Sequence, residues 1–357
     1  MKVKCERNCS QRNAEGFCTG DEIVISLDGG CSKYHSLPEY EPFREDNVIV
    51  FDNANLPSIM VRFSRVTNKE LFGGSDKVHP MFIIGGVVYD EIYISKYPNV
   101  IINGKAYSLP MQQPAVNVTY DQAEQACFAK GEGWHLWTAA ERGFLANLSL
   151  SKGTLPHGNT NGGCYHGNTD EKGITYGGGK TLTGSGPATW SHDHTPGGVY
   201  DLCGNVWEWC RGLRLMDGVI EVAENNDAAM NIDLSKSSKN WKPVLVDGEP
   251  LRVDCSDGVV ILTTEDEIEE GYDGASWEDV EFQCDITEQM KELALFPGEP
   301  QAYVYFDTEG ERLPICGGGW HNTAGAGVFY VDLVSPRSYS HSSLGFRSAY
   351  YRKLETE

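Results

Sequence analysis

Two short motifs near the C-terminus constrain this chain most: Gly317-Gly318-Gly319-Trp320 and Leu344-Gly345-Phe346-Arg347. Between them runs HNTAGAGVFYVDLVSPRSYSHSS, which contains Tyr, Ser, His, Asn, Asp and Gly. It has no Lys, Glu, Gln, Met or Trp, although all five occur elsewhere in the chain. Adaptable binding loops use this mixture: Tyr supplies rigid contact area, while Ser, Gly and Asn supply flexible hydrogen bonding. The segment is therefore the first candidate for a recognition surface. The same chain carries 40 glycines and eight tryptophans. That usage points away from a helical bundle and toward short segments joined by tight turns, a loop-rich α+β or β fold.

At 357 residues the chain can bury a large core. Its net charge of -22 repels phosphate backbones and argues against nucleic acid as a partner. No stretch approaches the ~18 uninterrupted apolar residues of a spanning helix, so membrane insertion is not expected. The opening MKVKCERNCS lacks the apolar run of a secretory signal. Synthesis in the cytosol is expected, with any exit inside a larger assembly or by lysis.

Residues 1–36 read as a cysteine-rich module. Cys5, Cys9, Cys18 and Cys31 surround two turns and a strand-like Glu22–Ser26, and four thiolates there could hold one tetrahedral zinc. Two disulfides or four free thiols are the alternatives. The other seven cysteines are scattered and read as buried small hydrophobes. Residues 37–79 form a linker and strand-rich lead-in, with alternation at Val48–Phe51, Ile59–Phe63, Met81–Ile84 and Glu91–Ile94 along the wider stretch 48–104. Asn103-Gly104 signals a hairpin turn. Thr119-x-x-Gln122 and Thr138-x-x-Glu141 are capping boxes that open two helices, with Ala123, Ala126 and Cys127 on one face of the first and Phe144, Leu145 and Leu148 on one face of the second. Residues 152–200 show no period and need tethering. Residues 211–313 read as an acidic insertion within a binding domain spanning 80–357. Its densest part, 265–281, has no Lys or Arg and reads as a solvated surface.

Gly204-Asn205-Val206-Trp207-Glu208-Trp209, together with the two C-terminal motifs, resembles the formylglycine-generating-enzyme-like family, which has a C-type-lectin type of fold. Pro114–Thr119 and Trp137–Glu141 resemble that family's two opening helices. The family includes an oxidase, iron-dependent sulfoxide synthases and binding proteins without chemistry, so fold does not settle function. The resemblance implies an oxidase cysteine pair near Asn322 and Gly327, but no cysteine follows Cys316, and a thiol mechanism lacks its nucleophile. Among the histidines, His157, His166, His192 and His194 offer no third ligand at helical spacing and read as loop hydrogen-bonders. No catalytic residue is expected. A formylglycine-generating oxidase is the alternative. Asp201, Gly204, Val206 and Glu208 resemble the family's calcium site, two carboxylates and two carbonyls. Trp207 and Trp209 read as core.

The C-terminal segment further resembles the variable region of diversity-generating-retroelement target proteins, in which template adenines are randomised, mostly in Asn codons. Randomising the first two bases of such a codon never yields Lys, Glu, Gln, Met or Trp. The resemblance implies diversified positions at His321, Asn322, Thr323, Gly325, Tyr330, Asp332, Val334, Ser335, Tyr339, His341 and Ser343, with Ala324, Ala326, Val328, Leu333, Arg337 and Phe346 as scaffold. Tyr330 and Tyr339 are expected as exposed anchors. The implied function is receptor recognition by a phage or prophage tail-associated protein. The implied partner is a protein or glycan on a bacterial surface, with other virion subunits as further partners.

Overall fold

The computed structural model describes residues 23–24, 45–255 and 258–353. Cys5, Cys9, Cys18 and Cys31, and with them the expected zinc module, lie outside the described residues. The fold is α+β and loop-rich, with short helices between many short strands.

One sheet has six antiparallel strands, in the order Ile23–Val24, Glu45–Phe51, Pro57–Ser64, Glu91–Ser95, Ser348–Tyr350 and Trp134–Leu136. Its inner face packs on helix α3 (Ala139–Lys152), where Phe144 meets Phe63 and Phe82 edge-on. Both expected capping boxes form, at the start of α2 (Tyr120–Phe128) and of α3. In each, the Thr hydroxyl accepts the amide of the third helical residue and that residue's side chain accepts the Thr amide, satisfying two orphan donors. Helix α3 is buried from Ala139 to Ser149. It is a central strut covered on all sides, more than the one-faced helix its spacing predicts.

Two local expectations change. A further capping box, Thr67 with Glu70, opens a short helix α1 (Asn68–Phe72) inside the stretch read as strands. Met81–Ile84 is not one strand. Pro80–Phe82 makes a tight 3-10 turn, capped by the His79 ring accepting from the Met81 amide, and only Ile83–Ile84 pairs, with Val87–Val88. Pro80 has no amide to give a ladder. Asn103-Gly104 makes the expected two-residue turn, with φ of 51° and 76°, joining Asn99–Ile102 to Lys105–Ser108.

The second sheet has twelve strands. Its path runs from Tyr272–Ser276 through Tyr303–Asp307, Val331–Ser335, Glu311–Cys316 and Leu213–Met216 to Val219–Ala223 and beyond. Trp207–Trp209 pairs with Glu311–Cys316 on one side and runs parallel to Leu344–Phe346 on the other. Strands from residues 211–313 therefore flank the bracketed C-terminal segment directly. Alternation sets the faces: Val304, Phe306, Val331 and Leu333 are buried, whereas Tyr303, Tyr305, Asp332 and Val334 point outward.

The two sheets meet at a single residue. Leu344–Phe346 belongs to the large sheet and Ser348–Tyr350 to the six-stranded one, so Arg347 is the junction.

Candidate functional site

The three glycine-bearing motifs build a frame for the segment 321–343. Gly317 and Gly318 take φ of 87° and 79°, which side chains rarely adopt. A Cβ on Gly318 would stand 2.6 Å from that of Ala326. The Trp320 amide donates to the Asn205 carbonyl, and its indole N–H to Ser343 Oγ at 3.2 Å. The two ends of the segment are thereby tied together. Asn322 Oδ1 accepts the Gly319 amide at 2.7 Å. At the far end the Trp207 amide donates to the Ser343 carbonyl. Arg337 ties down the middle: its guanidinium reaches Asp121 at 3.1 Å, the Leu234 carbonyl at 2.8 Å and Glu311 at 3.3 Å, and lies over the Tyr120 ring.

On this frame the candidate variable positions divide. His321, Thr323, Tyr339 and His341 are exposed; Asn322, Asp332 and Val334 are half-buried; Gly325, Tyr330, Ser335 and Ser343 are buried. Three of the exposed residues gather at one ring, Trp207. His321 and His341 stand edge-on to Trp207 at 5.3 and 5.9 Å, Trp320 meets His321 at 4.8 Å, and Tyr339 lies parallel to His341 at 6.4 Å. Trp209 is core, as its sequence context predicts. Trp207 is only half-buried and forms the floor of the exposed cluster, which corrects its reading as core.

Tyr330 corrects the expectation of an exposed anchor, because it is 2% exposed. Its ring packs against that of Tyr305, at 6.1 Å, and its hydroxyl points toward Asp332, so neighbours on the same face cover it. Burial pushes the phenol well above its ordinary pKa. Burial also lifts the Asp332 carboxyl to about 6, although the Val334 amide and the Tyr330 hydroxyl stabilise its charge. Beneath the segment, Glu299 accepts the amide of Phe329, and burial raises its carboxyl to about 7. No motif announced Glu299; its signal is spatial, the close fit of Gly327, whose Cβ would fall 2.2 Å from the carboxylate.

The residues of the expected calcium site are arranged differently from a cation cage. Glu208 is buried, and both its oxygens accept from Arg347, Nε at 2.6 Å and Nη2 at 2.5 Å. The same guanidinium donates to the carbonyls of Ser95, Tyr200 and Asp201. Burial raises the Glu208 carboxyl and Arg347 opposes that rise. Asp201 accepts the Gly184 amide with one oxygen; its other oxygen is buried without a hydrogen-bond partner, and burial lifts this carboxyl to about 6. The Gly204 amide donates to the Gly317 carbonyl and Val206 packs beside Gly345. A divalent ion on Glu208 would have to displace a guanidinium that satisfies five acceptor contacts, so this set does not fit calcium. Among the described residues no group of three His, Cys, Asp or Glu side chains is placed to hold a metal.

The histidines behave as loop hydrogen-bonders. His157 binds Glu171, His166 binds Thr160, His194 reaches the Leu155 carbonyl, and His192 accepts the Val199 amide. Cys127, Cys203, Cys210 and Cys316 are buried, whereas Cys164, Cys255 and Cys284 are half-buried. Cys316 sits in the core beside Cys210, away from the segment's surface.

Fold and frame together define a formylglycine-generating-enzyme type of domain that carries a framed C-terminal segment. The chain belongs to the Sulfatase-modifying factor enzyme 1-like domain family, whose match spans residues 41–239, more than half of its length. That match includes Gly204–Trp209 and ends before the two C-terminal motifs. No curated protein matches the chain. Solved structures similar to it are the Major Tropism Determinant P3c variant and M1 variant, each 12% identical with a TM-score of 0.33, and the U1 variant, 12% identical with a TM-score of 0.32; each comparison covers 92% of this chain and 71% of the other. No helix among the described residues is long and apolar enough to cross a membrane.

Proposed function

We propose that this protein binds a ligand through a diversified surface centred on His321, Asn322, Thr323, Tyr339 and His341, and performs no catalysis there. The observation that carries the reading is the pairing of composition with exposure. Exposed His321 and His341 meet Trp207, with Tyr339 beside His341, on a backbone tied at Trp320, Arg337 and Ser343, and every residue from 321 to 343 is one that a randomised Asn codon can encode. Aromatic and imidazole rings on such a frame give contact area at low entropic cost. On the family resemblance the oxidase cysteine pair would fall near Asn322 and Gly327, and no cysteine follows Cys316.

On this reading the chain is a receptor-recognition protein of a phage or prophage tail, with a protein or glycan on a bacterial surface as ligand. Residues 80–357 act as the binding domain, and Cys5, Cys9, Cys18 and Cys31 as a zinc-holding attachment module. Genomic sequence tests the diversification: a neighbouring reverse-transcriptase gene and a near-identical repeat differing only at adenines are expected, and their absence sinks it. Formylglycine formation on a cysteine-containing sulfatase peptide with copper supplied would overturn the non-enzymatic reading.

A further inference from the structure

Beside the framed segment lies an aromatic face that the family match does not include. Tyr303 and Tyr305 alternate outward on the strand Tyr303–Asp307, and their rings stack at 5.7 Å and 27°. The neighbouring edge strand Tyr272–Ser276 sets Gly274 opposite Tyr305. A Cβ there would fall 2.1 Å from the Tyr305 ring, so the ring lies flat over the glycine. Tyr272 is 64% exposed and Tyr303 38%. On the other side, the strand Val331–Ser335 runs parallel and places Asp332 level with Tyr305. Tyr303 also closes over Gly325, where a Cβ would meet its ring at 2.8 Å.

The ionisable groups acting on Tyr272 are Asp332, Asp273 and Asp307, and those acting on Tyr305 are Tyr272, Tyr303 and Asp332. Asp307 is neutralised by Arg312 at 2.7 Å. Asp332 has hydrogen bonds from Val334 and Tyr330 but, among the described residues, no cation within ion-pair reach. A half-buried carboxylate with no counter-charge among the described residues, level with Tyr305 and flanked along the face by Tyr303 and Tyr272, is complementary to a cation.

We infer that Tyr272, Tyr303 and Tyr305, completed by Asp332, seat a quaternary ammonium group of the ligand at the edge of the framed segment. Two features select that cation over a primary ammonium. A primary ammonium brings three N–H donors that need acceptors, whereas the face offers ring surfaces and one carboxylate already holding two donors. A quaternary ammonium donates nothing and gains from ring faces and from the uncompensated charge. The three tyrosines lie outside the diversified segment and Asp332 within it, so a fixed aromatic wall takes its charge preference from one replaceable position. This inference rests on the ligand-binding reading above.

The test uses the full chain and choline as probe, titrated by calorimetry or saturation-transfer NMR beside two controls: 3,3-dimethylbutanol, its neutral isostere, and ethanolamine. Saturable choline binding is expected, about tenfold weaker for either control. Asp332→Asn and Tyr305→Leu are expected to weaken choline by a similar factor, with unchanged circular dichroism, while Tyr305→Phe retains it. The inference is overturned by an absence of choline binding, by equal binding of the neutral isostere, by tighter binding of ethanolamine, or by an unchanged Asp332→Asn. Failure of the diversification reading would show instead in the genomic repeat, which these titrations do not touch.

Discussion

Replacing Arg347 by Met tests how the frame is held. Arg347 is fully buried and makes two bonds to Glu208 and three to backbone carbonyls. Methionine keeps much of the apolar stem but removes every donor. Breaking a buried pair from one side costs about 3–5 kcal/mol, because the other charge stays buried without a partner. Three carbonyls also lose a donor at roughly 1 kcal/mol each, part of which overlaps with the first cost. The expected loss is therefore about 4 kcal/mol, read as a drop in the urea midpoint with an unchanged slope. Glu208 can escape by taking up a proton. Its carboxyl, already raised by burial, would rise further without Arg347. The folded variant would then bind more protons than the unfolded chain between that raised value and the ordinary glutamate value, so its deficit should shrink as pH falls through this window. Arg347→Met with Glu208→Gln removes the charge and should be more stable than Arg347→Met alone. A loss under about 1 kcal/mol, a deficit independent of pH, or a double variant worse than the single one would refute the argument.

Other outcomes follow from the same geometry. Substituting His321, Thr323, Tyr339 or His341 by Ser should leave the melting midpoint within about 0.5 kcal/mol of equivalent stability while abolishing ligand capture; Tyr330→Ser, at a buried position, should cost about 3 kcal/mol or more by denaturation. Gly345→Ala drives a Cβ to 2.5 Å from the Ala115 carbonyl and should lose about 1–3 kcal/mol, measured the same way. Asp332 has a folded pKa of about 6 against 3.8, so its penalty is present above pH 6 and is relieved as pH falls toward 4. Asp332→Asn should accordingly be at least as stable as the parent at pH 8, lose that advantage near pH 4, and still bind choline poorly. Calcium in millimolar excess should leave the unfolding midpoint unchanged, since Arg347 satisfies Glu208; metal analysis of the full chain should return zinc, and its loss on Cys5→Ser would support the cysteine module.

Much of the frame was legible because local chemistry and fold agree. The capping boxes at Thr119 and Thr138 and the turn at Asn103-Gly104 needed only neighbours a few residues away. The same logic applied to Thr67-x-x-Glu70 and to Asp217-Gly218, φ 46° and 79°, marks a helix and a hairpin that strand alternation alone passes over. Long-range partners were not legible. Glu208 reads from its motif as a calcium carboxylate, yet its partner is Arg347, 139 positions away. Tyr330 reads as an anchor by composition and precedes the inward Val331, on the parity of the outward Asp332, but it is covered there by packing against Tyr305, a partner far away in sequence. The tyrosine face gave no signal, because residues 211–313 read as a detachable insertion, whereas strands within it flank the framed segment.

The one-residue junction at Arg347 also governs the order of assembly. Ser348–Tyr350 fills an interior place between Glu91–Ser95 and Trp134–Leu136, and Leu344–Phe346 lies alongside Trp207–Trp209. During synthesis both slots stay open until residues 344–350 leave the ribosome, when nearly every other strand is already made. A chain stopped short of them leaves a six-stranded sheet split in two and Glu208 without its counter-ion. Such a product is poorly sealed and open to proteases. Only molecules translated past the framed segment can complete both sheets, so a sealed fold carries that segment in full.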